Sequence, residues 1–143
     1  MKSDSSVHTT NYYNTFIEVA EDYLAQEAKI PLAKGEQKTI AQMQYEMLKD
    51  HPYRFTSDDV LFQVYARRKE IPEEEYEEAR EIFFSKGQAC FRASPLTKSH
   101  GFGVHSDDQG RIALYPLESD EYKRFLADPD IRKFKAMRTS KKK

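Results

Sequence analysis

Residues 101–115 constrain the fold most strongly, because they contain two short runs of strand-forming residues around a cluster of turn-forming ones. The runs are residues 101–105 (GFGVH) and 111–115 (RIALY), and the cluster between them is SDDQG. Ser, Asp and Gly are favoured in tight turns for separate physical reasons. We therefore predict a β-hairpin, and with it an antiparallel sheet.

Two further segments are predicted to be strands. Residues 14–20 (NTFIEVA) are rich in β-branched and aromatic side chains, and residues 89–93 (ACFRA) form a short, largely apolar run before Ser94-Pro95. Both have the length and composition of short strands.

Helical patterns occupy much of the remaining chain. Residues 39–50 begin with Thr three residues before Gln, as in a capping box, and residues 57–69 begin with Ser followed by two carboxylates. A strand remains the alternative for both segments. The clearest helix is residues 72–85, with Pro near its start and Tyr76, Ala79 and Phe83 on one face. Two more helices are predicted, one capped by Ser119 and one beginning at Asp128-Pro129 and carrying Ile131, Phe134 and Met137.

These elements predict an α+β fold. The sheet is small and mainly antiparallel, built from residues 14–20, 89–93 and the hairpin 101–115, and packed on one side by four or five helices. Helices lie between the first strand and the others, which argues against alternating βαβ units. We expect a single domain over residues 12–138, a flexible N-terminal tail of residues 1–11 and a basic C-terminal tail of residues 139–143.

Composition narrows the class of protein. The 143 residues carry 23 basic and 24 acidic side chains, a net charge of −1, so a nucleic-acid-binding role for the whole domain is not expected. The single Cys90 excludes an intramolecular disulfide and suits a reducing compartment. We find neither a membrane-spanning run nor a signal peptide, so we predict a cytoplasmic protein without membrane contact.

The segment 85–115 carries the greatest variety of reactive and polar side chains, and we predict the functional surface there. Loop positions near strand ends offer donors suited to an anion, since Arg presents a planar fork and Lys a compact charge. The leading hypothesis is a non-catalytic binding or accessory domain for an unknown small molecule or protein. Its candidate ligand-binding residues are Arg92, Ser94, Lys98, His100 and His105. The structural alternative is that Ser94-Pro95 is only a turn and the cations are solvated.

Two other functions remain open. Cys90 with His100 or His105 is a possible nucleophile and base for a thiol-dependent hydrolase or transferase. The basic C-terminus, from Arg132 onward, is a possible site of weak nucleic-acid association. His100 and His105 with Asp107 and Asp108 match no closed zinc pattern, so we expect no metal and no cofactor.

The chain resembles a family of small, uncharacterised bacterial proteins, a domain of unknown function. The resemblance extends over most of the chain and is carried by residues 10–13 (TNYY), 44–47 (QYEM), 56–60 (TSDDV), 84–88 (FSKGQ), 92–98 (RASPLTK) and 101–105 (GFGVH). Phe102 stands where this family carries tryptophan. The resemblance implies a bacterial, intracellular origin and transfers no activity.

Overall fold

A computed structural model describes residues 8–33 and 35–139. In that part of the chain, four strands and five α-helices follow one another in this order: β1 (Thr15–Glu18), α1 (Ile40–Lys49), α2 (Ser57–Arg68), α3 (Tyr76–Phe83), α4 (Pro95–Lys98), β2 (Phe102–Ser106), β3 (Ile112–Pro116), α5 (Asp120–Ala127) and β4 (Arg132–Lys135). The predicted α+β class is confirmed.

The four strands form one sheet in the order β3-β2-β1-β4. The β2–β3 hairpin and the β1–β2 pair are antiparallel, whereas β4 runs parallel to β1. The predicted hairpin is therefore confirmed, and the sheet as a whole is mixed.

One face of the sheet is covered by α1, α2 and α4. Ile17 of β1 and Val104 of β2 lie on this face and pack with Leu48 of α1, Val60 of α2 and Leu96 of α4, all nearly inaccessible to solvent. Apolar residues on the inner sides of these elements therefore form the main core.

The other face is covered by α5. Phe16 lies next to Ile17 in β1 and so points to the opposite side of the sheet. Its ring makes an edge contact with Tyr122 at 4.9 Å and stacks on Phe125 at 5.1 Å between ring centroids. The Tyr122 hydroxyl accepts a hydrogen bond of 2.9 Å from the Val19 amide. The prediction that all helices pack on one side was wrong, because α5 binds the face carrying Phe16.

The three helices predicted before residue 86 are present. Thr39 caps α1 by accepting a hydrogen bond from the Gln42 amide. Thr56, one residue before the predicted cap, makes a reciprocal capping box with Asp59 at the start of α2. A 3₁₀ turn, Glu73–Glu75, leads into α3. None of the helices among the described residues has the length and apolar content needed to cross a membrane.

The predicted strand at residues 89–93 is absent. Phe91–Ala93 forms a 3₁₀ turn instead, and Ser94 caps α4 with Pro95 in its first turn. The Phe91 carbonyl accepts hydrogen bonds from the Ser94 amide at 3.2 Å and the Thr97 hydroxyl at 2.6 Å. This carbonyl is therefore hydrogen-bonded within the turn. The largely apolar run of residues 89–93, from which we predicted a strand, does not reveal this bonding.

The predicted last helix is a strand. The spacing of Ile131, Phe134 and Met137 resembles helical periodicity, but Arg132–Lys135 forms β4 on the edge of β1. The amides of Arg132 and Ala136 donate to the carbonyls of Asn14 and Glu18 at 3.1 and 2.8 Å. Pairing with a distant strand outweighed the local helical pattern.

The predicted tails lie largely outside the described residues, namely residues 1–7 and 140–143. In the described part of the N-terminal segment, Thr10 is buried and donates to the Asp58 carboxylate at 2.7 Å through both its amide and its hydroxyl. Thr139 donates to Asp22 through its amide and its hydroxyl. The packed chain therefore begins before residue 12 and continues past residue 138.

We predict that Gly103→Ala destabilises the fold. A β-carbon at this position in β2 meets Phe16 Cζ at 2.4 Å and Tyr122 Cε2 at 2.7 Å. Overpacking of this kind costs about 1–3 kcal/mol, which urea unfolding will measure. Gly87→Ala is the matched control, because the nearest atom to its β-carbon is His8 Nδ1 at 3.9 Å. Equal stability of the two variants would contradict the close packing of α5.

Candidate functional site

Ser94, the second predicted site residue, is a buried structural group. Its hydroxyl donates to Gln44 Oε1 of α1 at 2.6 Å and accepts from the Leu96 amide at 3.1 Å. The side chain therefore joins α4 to α1 and is withdrawn from solvent. Lys98 lies at the end of the same short helix and is half-buried.

Arg92, in the Phe91–Ala93 turn, bonds to the chain at the end of β4. Its Nε donates to the Lys135 carbonyl at 2.7 Å, and its own carbonyl accepts from the Met137 amide at 2.7 Å. The guanidinium lies over the Phe134 ring, 5.6 Å from the centroid. These contacts fix the last strand on the molecule.

His105 lies on the opposite face of the sheet from α4. Its imidazole stacks on Phe125 of α5 at 4.2 Å between centroids, and its Nδ1 is 2.8 Å from the Tyr53 hydroxyl. Tyr53 in turn is 2.7 Å from the Tyr115 hydroxyl. The prediction placed His105 with the cations of residues 92–100. The alternation of strand residues separates them.

The Tyr53–His105–Tyr115 network combines burial with an unusual backbone. Tyr53 adopts a φ of 62°, in the left-handed region that non-glycine residues seldom occupy. Burial, followed by its bond to Tyr115, raises the pKa of Tyr53. Burial lowers the pKa of His105, while Asp107 and Asp128 act in the opposite direction.

Protonation of His105 changes the direction of this network. When Nδ1 carries no proton, the Tyr53 hydroxyl donates to it and accepts from Tyr115. The imidazolium has a proton on each nitrogen, so Tyr53 must then accept and direct its own proton to Tyr115. The three side chains thus link a loop and two strands through one reversible chain of hydrogen bonds, and the rings of His105 and Tyr115 pack on Phe125 of α5.

His100 fastens a second segment of the chain beside α4. The His100 carbonyl accepts from the Lys29 amide at 2.8 Å, and its Nδ1 donates to the Lys29 carbonyl at 3.1 Å. A carbonyl only accepts, so Nδ1 carries the proton, and Nε2 becomes a donor only in the imidazolium form. This two-way contact holds residues 29–33 against the end of α4.

A cleft of about 790 Å³ opens at this contact. Residues 29–33 form one wall, the start of α1 with Arg68 of α2 forms another, and α4 and His100 complete it. We call it the α1 cleft. Part of its apolar lining is accessible to solvent, since Ile30 is 59% and Leu32 is 78% exposed. The remaining apolar contributors are Pro31, Ala33, Ile40, Ala41 and Pro95.

In the described part of the chain, the α1 cleft has a basic lining. Lys29, Arg68 and His100 line it, and none of the described lining residues is acidic. Thr39 and Ile40 place the first turn of α1 at the same wall, and helix geometry leaves the first amides without an intrahelical acceptor. The cleft therefore presents positive potential beside apolar surface.

Cys90 does not pair with either predicted histidine. Its sulfur is 3.4 Å from the Tyr12 hydroxyl, while His100 and His105 are bonded to Lys29 and Tyr53. Burial, followed by Cys90, raises the pKa of Tyr12, which Arg92 opposes. The Tyr12 hydroxyl is therefore a poor base for activating the thiol.

The described cations of the C-terminal segment have local partners. Arg138 forms a 2.7 Å ion pair with Glu21, and Lys135 lies 3.9 Å from the same carboxylate. Lys133 donates to the carbonyls of Asp128 and Ile131. Residues 140–143, which complete the predicted basic patch, lie outside the described residues.

Sequence reasoning identified one residue of the α1 cleft, His100, and missed Lys29, Arg68 and residues 30–33. A usable signal was present in the last of these. Ile30-Pro31-Leu32 is apolar yet belongs to neither a helical nor a strand pattern, which is typical of surface available to a ligand. Lys29 and Arg68 are separated by 39 positions in sequence and carry no motif.

The sequence profile described as Family of unknown function (DUF6157) matches residues 7–142 of the 143. The chain belongs to the DUF6157 family. The resemblance to a domain of unknown function is thereby confirmed over most of the chain. No curated protein and no solved structure matches it. DUF6157 membership assigns no chemistry, so function must be argued from the geometry above.

We predict that His105 makes stability depend on pH. The unfolded imidazole titrates near pH 6.5, and the folded one titrates lower. The unfolded state therefore binds more protons between these pKa values, and the free energy of unfolding falls as pH decreases from 7.5 through 6.5. Below the folded pKa this loss levels off.

Urea unfolding at pH 7.5 and 5.5 measures the effect, and His105→Gln should reduce the difference between the two values. His51→Gln, at an exposed position, is the control and should keep the wild-type difference. The same pH dependence in His105→Gln and wild type would exclude His105 as its source.

Proposed function

We propose that this chain is a non-catalytic, cytoplasmic binding domain whose ligand is a small anion with an apolar body, held in the α1 cleft. The observation that carries the proposal is the composition of the cleft. Lys29 and Arg68 supply positive charge next to exposed Ile30 and Leu32, and none of the described lining residues is acidic.

The start of α1 adds to this positive potential. The amides in the first turn of a helix favour negative charge. In α2 and α5 that charge comes from the protein itself, Asp58 and Asp59 in one and Asp120 and Glu121 in the other. The first turn of α1 carries no acidic residue. An anion in the cleft compensates the helix end that the sequence leaves uncompensated.

The size of the cleft suits a small molecule. Its volume of about 790 Å³ falls in the range of about 300–1,000 Å³ that is usual for such sites. Apolar walls contribute burial energy and a few charged groups fix orientation. A compact inorganic anion would leave Ile30 and Leu32 exposed, so the apolar portion of the ligand is part of the proposal.

The surroundings of Cys90 support a binding role over catalysis. A nucleophilic thiol needs a nearby base or a clearly electropositive, accessible setting. Cys90 instead contacts the Tyr12 hydroxyl and is half-buried. A free, unpaired thiol is compatible with the reducing cytoplasm.

The proposal predicts charge-dependent binding of 1-anilinonaphthalene-8-sulfonate, an apolar molecule with one negative charge. Lys29→Glu and Arg68→Glu should each weaken its binding about three- to tenfold, because each replaces an attractive charge at a partly exposed site with a repulsive one. Fluorescence titration measures the dissociation constants. Lys123→Glu, on the exposed side of α5, is the charge-matched control and should stay within about twofold of wild type.

A neutral analogue separates charge from hydrophobic contact. N-phenyl-1-naphthylamine has the same rings without the sulfonate, so its affinity should not respond to Lys29→Glu or Arg68→Glu. If Lys123→Glu weakens binding of the sulfonate dye as much as Lys29→Glu and Arg68→Glu do, the α1 cleft is refuted as the anion site. If Lys29→Glu and Arg68→Glu change the affinities of the charged and the neutral dye equally, a role for the ligand's charge is refuted.

A further inference from the structure

A second cavity adjoins the α1 cleft and shares two of its lining residues. It has a volume of about 240 Å³ and lies between α1, α2 and the end of α3. We call it the α1–α2 hollow. Ile40 and Arg68 line both spaces, and Leu61, Val64, Tyr65 and Phe83 provide the apolar wall of the hollow. A ligand long enough to pass Ile40 therefore meets a second apolar surface.

Each of the two amide side chains in this wall has one atom engaged in a hydrogen bond within the protein. Gln44 Oε1 accepts from the Ser94 hydroxyl at 2.6 Å, and Gln88 Nε2 donates to the Phe83 carbonyl at 2.7 Å. A peptide in the hollow would bring backbone amides that need partners of their own. An alkyl chain brings no such requirement.

The cations are also distributed in a way that fits a chain with one charged end. Lys29 and His100 line the α1 cleft and not the hollow, while Arg68 lies at the boundary between the two. Arg68 and Lys69 are exposed at the rim of the hollow. Long basic side chains cover apolar surface with their methylene stems while the charged groups remain in water.

We propose that the ligand is a straight-chain monocarboxylate. Its carboxylate binds near Lys29 and Arg68 in the α1 cleft, and its alkyl chain continues past Ile40 into the α1–α2 hollow. This inference rests on the proposed function and specifies its ligand class. A single carboxylate lies with the permanent charges of Lys29 and Arg68. The rest of the ligand then places no negative charge against Leu61 and Phe83.

The test is a titration of the full chain with butyrate, hexanoate and octanoate, followed by backbone amide chemical shifts. Each methylene that enters the hollow should strengthen binding roughly two- to fourfold. Octanoate should therefore bind at least about tenfold more tightly than butyrate. Shifts should extend from residues near His100 for butyrate to residues near Leu61 and Phe83 for octanoate.

Filling the hollow should remove this gain. Ala89 is exposed and lines the hollow but not the α1 cleft, so Ala89→Trp should bring octanoate to within about threefold of butyrate and leave butyrate unchanged. Leu61→Phe fills the same space from α2 and serves as the second variant if Ala89→Trp does not fold. Ala127→Trp, at the exposed end of α5, is the size-matched control and should retain the full chain-length dependence.

Two failures are distinguishable. Equal affinity of the three acids, or an unchanged chain-length series in both filling variants, would overturn the alkyl-chain assignment while the anion site of the proposed function stands. If none of the acids binds and the sulfonate dye does not respond to Lys29→Glu or Arg68→Glu, both the ligand class and the proposed function are overturned.

Discussion

The molecule depends on β1, a four-residue strand that is hydrogen-bonded on both sides. Its antiparallel partner β2 and its parallel partner β4 come from the second half of the chain. Phe16 anchors α5 on one face and Ile17 anchors the helical layer on the other. Just after the strand, the Ala20 amide donates to the Thr97 carbonyl of α4 at 3.1 Å. The chain then continues to Lys29 and its contact with His100, so the position of the α1 cleft depends on this strand.

Local chemistry was enough to predict the class of fold, the hairpin and the first three helices, because caps and turns act over a few residues. Thr39 and Thr56 bind amides three positions away, and their helices begin within one residue of the predicted start. The predictions for residues 89–93 and 128–137 were wrong for different reasons. In the first, the hydroxyl of Thr97 and the cap at Ser94 favour a turn that the short, largely apolar run does not reveal. In the second, β4 exists because β1 offers an unpaired edge 117 residues away, and nothing within residues 132–135 encodes that partner.

The candidate site also divides into residues that the sequence identifies and residues that only tertiary packing brings together. The sequence directed attention to polar residues between 92 and 105, and Arg92, Ser94 and His105 are indeed highly connected, but through contacts that hold the fold. Each bonds a different element: the end of β4, α1 and the loop carrying Tyr53. The cations of the α1 cleft come instead from an irregular segment and from the end of α2. Such a set is produced by tertiary packing, so residue spacing alone cannot predict it.

Leu32 and Ile30, which are among the exposed large apolar side chains of the described residues, lie beside the acid-free first turn of α1. The helices α2, α3 and α5 supply acidic first turns of their own, and such a charge contributes about 0.3–1 kcal/mol. Apolar side chains of comparable size are buried in the cores beside β1. These two features lie on the same cleft, next to Lys29 and Arg68. A ligand with one negative charge and an apolar body satisfies both at once, whereas a purely ionic or purely apolar partner satisfies only one.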